Sequence, residues 1–404
     1  MATKIFVSEP PEIARASVAA RPIHVLTLTP FYPFAGDDAA GCFIAEPLAY
    51  LAAHQVTSSV IAVQPFYKRR PRPSITAPQA QWCCFPSFPG SKGLPSAGKL
   101  LSWSILSRVR DLHQQKTIDL IHAHSALPCG HAAMLLARKL GIPFVVSVHG
   151  LDAFSTRQVS GRAGERCRCI SDEVYRRAHC VVCVSERVRE QVLLGATGPV
   201  NTEVIYNGVD PEVFFPPPTP CDTDQPTVLS VGDVIPTKGQ ELVLRALVAV
   251  SDKFPQVQYE IIGDSPQLLS LQKVASNLNM EGRTHFRGRR SRGEVAEAMR
   301  NCTVFALPSR YEGLGCAYLE AMACAKPAIA CRGQGIAEVI RHAENGWLVD
   351  GTSVGEMAEA LMCLLEHGEL REQIGRAARR TVVDRFTLAR QGECCNRVYR
   401  GCLA

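Results

Sequence analysis

LPSRYEGLGCAYLEAMACAKPAIA, residues 307–330, reads as the end of a buried strand, a turn punctuated by glycines, a helix, and a second apolar strand after Lys326-Pro327. Two carboxylates, Glu312 and Glu320, stand eight residues apart. That is a little over two helical turns, so both would share one face if both were helical. The glycines argue for a different arrangement, with Glu312 in the turn and Glu320 inside the helix. Gly313 and Gly315 then leave backbone N–H groups bare at the helix N-terminus, where an anion is favoured without any side chain. A carboxylate beside amides that want an anion suits a ligand carrying both hydroxyls and phosphates. An ordinary strand–loop–helix with a capping glutamate would look much the same, so the rest of the chain has to decide.

At 404 residues the chain exceeds the size at which one core keeps growing, and two domains are expected. Apolar residues make up 46% and charged residues 20%, as in ordinary α/β proteins. No run approaches the roughly 18 apolar residues that span a bilayer. The first 21 residues lack an apolar core ahead of a small-residue cleavage site, so a cytoplasmic protein is expected. The 17 cysteines are odd in number and scattered, many in apolar runs such as AHCVVCVS, and read as reduced, buried small hydrophobes. Residues 22–205 hold 19 Lys and Arg against 12 Asp and Glu, while the whole chain has a net charge of +6. This basic N-terminal half is a solvated surface or a face for peripheral contact with anionic lipid at the inner side of the membrane, or for an anionic acceptor.

IHVLTLT (Ile23–Thr29) reads as a buried strand, followed by a loop rich in Gly, Pro and Asp, a helix over 44–53 and a strand over 59–63. Residues 65–98, rich in Pro, Arg and Ser, read as a long connection made stickier by Trp82, Phe85 and Phe88. The segment KLLSWSILSRVRDLHQQ is a helix with Leu101, Ile105, Val109 and Leu112 on its core face. Trp103, Leu106, Arg108 and Arg110 would serve an interfacial membrane face. Two strands, DLIHAH and PFVVSVH, flank a helix closed by Gly141-Ile142-Pro143. His122, His124, Cys129 and His131 lack the fixed spacing of a full ligand set, so they read as polar residues at a cleft rim and no metal is expected. Asn207-Gly208 is a turn, and the prolines from Pro216 to Pro220 form a stiff linker.

In the C-terminal half, TVLSVGDVIPTKGQELVLRAL places a strand ending near Gly232, a loop carrying Lys238-Gly239 and a helix from Gln240. The basic run Arg287–Arg292 has neither a nucleic-acid-binding fold nor interleaved aromatics, so no nucleic-acid partner is expected. A helix near 353–365 and two more over 369–402, broken at Phe386-Thr387, complete the chain.

The E-x7-E pattern at Glu312 and Glu320 resembles the signature of retaining nucleotide-sugar glycosyltransferases of the two-domain GT-B fold, family-4 type. His149-Gly150-x-Asp152, the string VSERVREQ…VIYNGVDPEVF, Lys238-Gly239 and CRGQGIAEVIRHAENGWLVD extend the resemblance over about residues 22–400. It is nearest to the bacterial exopolysaccharide and cell-wall polymer branch. The resemblance implies an α/β fold with two Rossmann-like domains facing a central cleft and a C-terminal helix crossing back to the N-terminal domain. It implies a loose tail over 1–21, an acceptor domain over 22–208 completed by 386–404, a Pro-rich linker over 209–225 and a nucleotide-sugar domain over 226–385.

The implied donor site comprises Gly232, Lys238, Arg287, Gly288, Glu312, Gly313, Leu314, Gly315, Cys316 and Glu320, with Glu312 on sugar hydroxyls, Glu320 on the ribose and Lys238 on the diphosphate. Gly41, with Gly36 as a weaker candidate, His149 and Asp152 would face a saccharide or lipid-linked acceptor. His149, Lys238 and Glu312 would carry catalysis, with no metal and no cofactor beyond the nucleoside-diphosphate sugar as co-substrate. A neutral imidazole at His149 can orient a hydroxyl or accept its proton. Asp233 departs from the pattern, since the family often has arginine there. Either another cation substitutes (Arg310, Arg289 or Arg290) or leaving-group stabilisation is weaker. The same architecture also serves nucleotide-sugar epimerases and phosphorylases, and a catalytically inactive sugar-nucleotide-binding protein or a membrane-surface scaffold would share these features.

Overall fold

The computed structural model describes residues 21–68, 71–72, 78–150, 152, 159–218 and 225–404. All but the last residue of the expected tail over 1–21, and residues 219–224 of the expected linker, lie outside them. Two parallel sheets organise the chain. The first takes Ile23–Thr29 (β1), Val56–Pro65 (β2), Ala80–Phe85 (β3), Leu120–His124 (β4), Phe144–Val148 (β5), Cys180–Cys183 (β6) and Thr202–Val204 (β7) in the order β3-β2-β1-β4-β5-β6-β7. The second takes Thr227–Val231 (β8), Gln258–Ile262 (β9), Thr284–Gly288 (β10), Val304–Ala306 (β11), Ala328–Cys331 (β12) and Trp347–Val349 (β13) in the order β10-β9-β8-β11-β12-β13. Helices cover both faces, which is why β1, β4 and β5 are buried at every position and read as continuous runs without alternation.

In both sheets the strand order reverses beside the first strand, between β1 and β4 and between β8 and β11. Ligands of doubly wound sheets gather outside the strand C-termini at such switch points. The four loops that leave these strand ends carry Gly41, Ser125, Lys238 and Glu312 respectively.

Ala80–Phe85 corrects the expectation of a plain connection over 65–98. It pairs in parallel with β2 from Val60↔Ala80 to Pro65↔Phe85 and closes one edge of the first sheet. Trp82 is buried on one face of the sheet and Cys83 and Phe85 on the other. The Pro, Arg and Ser of its flanks hide six residues that are long enough for an edge strand.

The last helix, Leu388–Leu403, returns to the first sheet as expected. Gly208 lies where this crossing passes: a Cβ there would stand 2.3 Å from the Thr387 carbonyl oxygen. Gly208 N–H donates to Gln391 Oε1 at 2.7 Å, and Val209 exchanges backbone bonds with Phe386 and Leu388. Gly392 packs against the ring of Tyr50 on the helix Cys42–Ala53, with no room for a side chain. Among the described residues no helix is long and apolar enough to cross a membrane.

Candidate active site between the two sheets

The loop after β11 carries Glu312, and the helix Cys316–Ala323 that follows carries Glu320, as the glycine placement predicts. Gly315 is the N-cap residue at φ 90°, and no side chain caps the helix. A Cβ on Gly315 would stand 2.9 Å from the Glu312 side chain and 2.5 Å from the Tyr318 ring, so glycine is required for the loop to fold this tightly. The start of this helix, Gly315 to Ala317, borders a cavity of about 280 Å³ that Lys238, Glu312 and Glu320 also line.

Lys238 enters from the short turn Pro236–Lys238 after β8. Gly239, at φ 79°, lies so close to the Pro308 carbonyl that a Cβ would come within 2.5 Å, and this draws the two loops together. Lys238 Nζ donates to Glu312 Oε2 at 2.7 Å, with both side chains about four-fifths buried. A cation and a carboxylate thus share the edge of an anion-seeking helix end.

Glu320 makes a second ion pair that sequence reasoning missed. Arg292 is the first residue of the helix Arg292–Asn301, held by a capping box of Ser291 and Glu294. Its guanidinium donates to Glu320 Oε1 at 2.5 Å and to Glu46 Oε1 at 2.9 Å, linking the C-terminal unit to the helix Cys42–Ala53. Arg292 N–H also donates to Asp38 at 3.1 Å. Burial raises the Glu46 carboxyl above its ordinary range and Arg292 pulls it back. Removing Arg292 would leave two carboxylates facing each other in a poorly solvated site. Arg292→Met is therefore expected to lower stability by about 3–5 kcal/mol in urea titrations, and a loss below about 1 kcal/mol would contradict this pairing.

A larger cavity of about 1020 Å³ adjoins the first and shares Gly232 and Lys238 with it. Phe31, Phe34, Gly41 and Trp82 form its N-terminal wall, and Asp233, Gly263 and Arg289 its C-terminal wall. Together the two spaces are ample for a ligand of nucleotide-sugar size, since ordinary ligand pockets occupy about 300–1,000 Å³. Gly41 sits at φ 68° with its Cα against Phe31, where a Cβ would clash at 2.5 Å.

Of the three cations considered for the position of Asp233, Arg289 stands 3.6 Å from the Asp233 carboxylate and also pairs with Asp37. Arg290 lines the cavity and pairs with Glu294. Arg310 lines neither cavity and donates to the Pro236 carbonyl. Arg287 likewise lines neither: its guanidinium pairs with Glu260 on the neighbouring strand. Gly288 ends β10, and its carbonyl accepts from Gly263 N–H at 2.9 Å behind the cavity wall.

His149 lines the smaller cavity at the end of β5. Asp152 Oδ1 accepts from the His149 and Gly150 amides, each at 2.8 Å, and so shapes the turn that presents the imidazole. Gly313 packs directly against this turn, and Leu314 lines the same cavity as His149. A Cβ on Gly313 would lie 2.1 Å from the His149 carbonyl oxygen, and Ser185 Oγ donates to the Gly313 carbonyl at 2.7 Å. The two halves are therefore in direct contact at the base of the cleft.

His122 and His124 are buried in a row behind His149, which corrects their placement at the cleft rim. Burial pushes His122 down to about 3 and His149 down to about 4, and holds His124 well below its ordinary range. The folded protein thus binds fewer protons than the unfolded chain between about pH 6.5 and pH 4. This contribution to stability is complete above about pH 6.5 and is lost as the pH falls through that window. The urea midpoint is expected to drop from pH 7 to pH 4.5, and to drop less in His122→Gln; an equal drop in both proteins would contradict the buried neutral row. Among the described residues no group of three or more His, Cys, Asp or Glu is placed to hold a metal ion.

Comparison with known proteins agrees with this fold. Residues 43–213 match the family described as Glycosyltransferase Family 4, and residues 214–381 match Glycosyl transferases group 1. An uncharacterized glycosyltransferase of Methanocaldococcus jannaschii is 30% identical over 267 residues, 66% of this chain and 71% of that protein. A GDP-mannose-dependent α-(1-6)-phosphatidylinositol monomannoside mannosyltransferase of Mycolicibacterium smegmatis is 29% identical, over 72% of this chain and 78% of that one. Among solved structures, Anabaena HepE in complex with UDP and glucose superimposes with a TM-score of 0.74 at 20% identity, covering 94% of this chain and all of the other. Sucrose-phosphate synthase of Thermosynechococcus elongatus gives 0.75 at 20% identity, covering 94% and 98%.

Proposed function

Because this chain belongs to the GT-B glycosyltransferases of the family-4 type, we propose that it moves a sugar from a nucleoside-diphosphate sugar to an acceptor hydroxyl with retention of anomeric configuration. The observation that carries this is the Lys238–Glu312 pair at 2.7 Å beside the uncapped helix end at Gly315, inside the cavity where the two switch points meet. The diphosphate would take the Gly315 and Cys316 amides and the Lys238 ammonium. Charge grows on that diphosphate as the glycosidic bond breaks, so fixed donors there act most strongly in the transition state.

Glu312 would hold sugar hydroxyls, and Glu320, with one oxygen on Arg292, would offer the other to the ribose. Arg289 takes the place of the arginine that the family often has at Asp233. Cys316 contributes its amide and not its thiol, which burial pushes up to about 12. With no enzyme nucleophile at hand, the leaving phosphate would receive the acceptor proton on the same face. Donor binding would close the two domains around the cleft, whose base is the contact at Gly150 and Gly313, and would expel the water that otherwise hydrolyses the donor. The acceptor would be a saccharide or a lipid-linked saccharide of polysaccharide or glycolipid synthesis; the Mycolicibacterium smegmatis relative is named as a phosphatidylinositol monomannoside mannosyltransferase.

The test is thermal stabilisation by a panel of nucleoside diphosphates and their sugars. A ligand at a hundred times its Kd raises stability by about 2.7 kcal/mol. One base is expected to stand out, and no shift with any of them would overturn the donor assignment.

A further inference from the structure

One carboxylate of the C-terminal half grips the N-terminal half at the base of the cleft. Glu338 ends the short helical turn Gly335–Glu338 that follows β12. Its Oε2 and Oε1 accept from the backbone amides of Glu186 and Arg187, at 2.9 and 2.8 Å, and Tyr206 Oη donates to Oε2 at 2.8 Å. Those two amides open the helix Glu186–Gly195, whose own cap, Ser185, takes the Val188 amide at 3.2 Å. The first amides of a helix have no partner within it. Glu338 therefore completes a cap that the N-terminal half leaves open, and its charge and the helix dipole strengthen both bonds.

The same turn holds Glu312. Gln334 Oε1 accepts from Glu312 N–H at 3.1 Å, and Gly335 N–H donates to the Glu312 carbonyl at 3.3 Å. A Cβ on Gly335 would come within 1.7 Å of the Gly313 carbonyl oxygen, the atom to which Ser185 Oγ donates. Three segments thus meet without slack: the helix start at Ser185, the Glu312 loop and the turn that ends at Glu338. The chain crosses between the halves beside them, where Tyr206 packs edge-on against Phe386 at 5.3 Å. Domains joined in this way turn relative to one another unless something fixes their angle.

We infer that Glu338 is a positioning residue: by capping the helix Glu186–Gly195 from the opposite half, it fixes the Gln334-Gly335 turn and, through it, the place of Glu312 in the cleft. Glu338 lines neither cleft cavity, so it acts through Glu312 and not on the ligand. Its effect on transfer rests on the functional reading above, whereas the coupling of the helix start to the Glu312 loop does not.

The experiment compares the full native chain with Glu338→Ala and Glu338→Gln. Glutamine keeps the size of the side chain but sets an amide NH2 against one of the two backbone N–H groups. Amide hydrogen exchange without ligand, read by mass spectrometry, is expected to quicken roughly tenfold or more in both the 186–188 and the 311–316 fragments, while β1 keeps its native protection. With a working donor, kcat should fall roughly tenfold or more, as a small misplacement of a positioning group costs. Nucleoside-diphosphate affinity should stay within about twofold, because Lys238 and the helix start at Gly315 make no contact with Glu338. Faster exchange confined to 186–188, an unchanged kcat, or kcat and affinity falling together would overturn the inference. Exchange needs no turnover, so a native chain that transfers no sugar refutes the functional reading and leaves the coupling to be judged by exchange. Glu338→Gln, equal in size to the native side chain, decides the matter where Glu338→Ala does not fold.

Discussion

Replacing Glu312 by glutamine is expected to lower sugar transfer roughly a hundred- to a thousandfold while nucleoside-diphosphate binding is preserved or strengthened. The loss follows from the proposed grip on sugar hydroxyls: an amide retains one acceptor oxygen but loses the charge that makes hydroxyl bonds strong. The second half of the prediction comes from the pair itself. Lys238 Nζ is held 2.7 Å from Glu312, so the carboxylate competes with any phosphate for that ammonium. Removing the charge frees the lysine. Calorimetry and turnover therefore move in opposite directions, which general damage to the fold would not produce. Near-normal turnover in Glu312→Gln would remove Glu312 from the site.

Lys238→Ala should weaken nucleoside-diphosphate binding by about 1.5–3 kcal/mol, or roughly ten- to a hundredfold. The lysine is about four-fifths buried, where its interaction with a dianion is screened less than at an open surface. Losing it also leaves Glu312 as an unpaired carboxylate beside the phosphate, which adds repulsion. The affinity of the variant should consequently recover in part when Glu312→Gln is added, and the two changes should be non-additive. Unchanged affinity in Lys238→Ala would refute the diphosphate contact.

These sites differ in how plainly the sequence announces them. Glycines around Glu312 mark a turn whatever the tertiary setting, and the start of the helix at Gln240 and the bounds of Ile23–Thr29 follow from local pattern alone. Arg292 is different. It reads as one cation in a basic run, yet its partner Glu46 lies 246 residues away, and nothing local reports that distance. The capping box at Ser291 and Glu294 was the available signal, since it puts Arg292 at a helix start. His122 and His124 share a strand face in any parallel strand, but their burial behind His149 depends on the returning helix and Tyr399. Arg287 is expected near the base through its backbone, and its side chain is taken up by Glu260 on the neighbouring strand β9, a pairing that no local pattern reports. Local chemistry is legible where backbone conformation decides it, and contact across the cleft is not.

The most direct test of the proposed reaction is the anomeric configuration of the transferred sugar. With the donor that stabilises the protein best, proton NMR at early times can follow the sugar as it leaves, on acceptor or on water, before mutarotation. An α-linked donor is expected to yield an α product, at a rate that collapses in Glu312→Gln. A β product from an α donor, or release unaffected by Glu312→Gln, would contradict transfer with retention at this site.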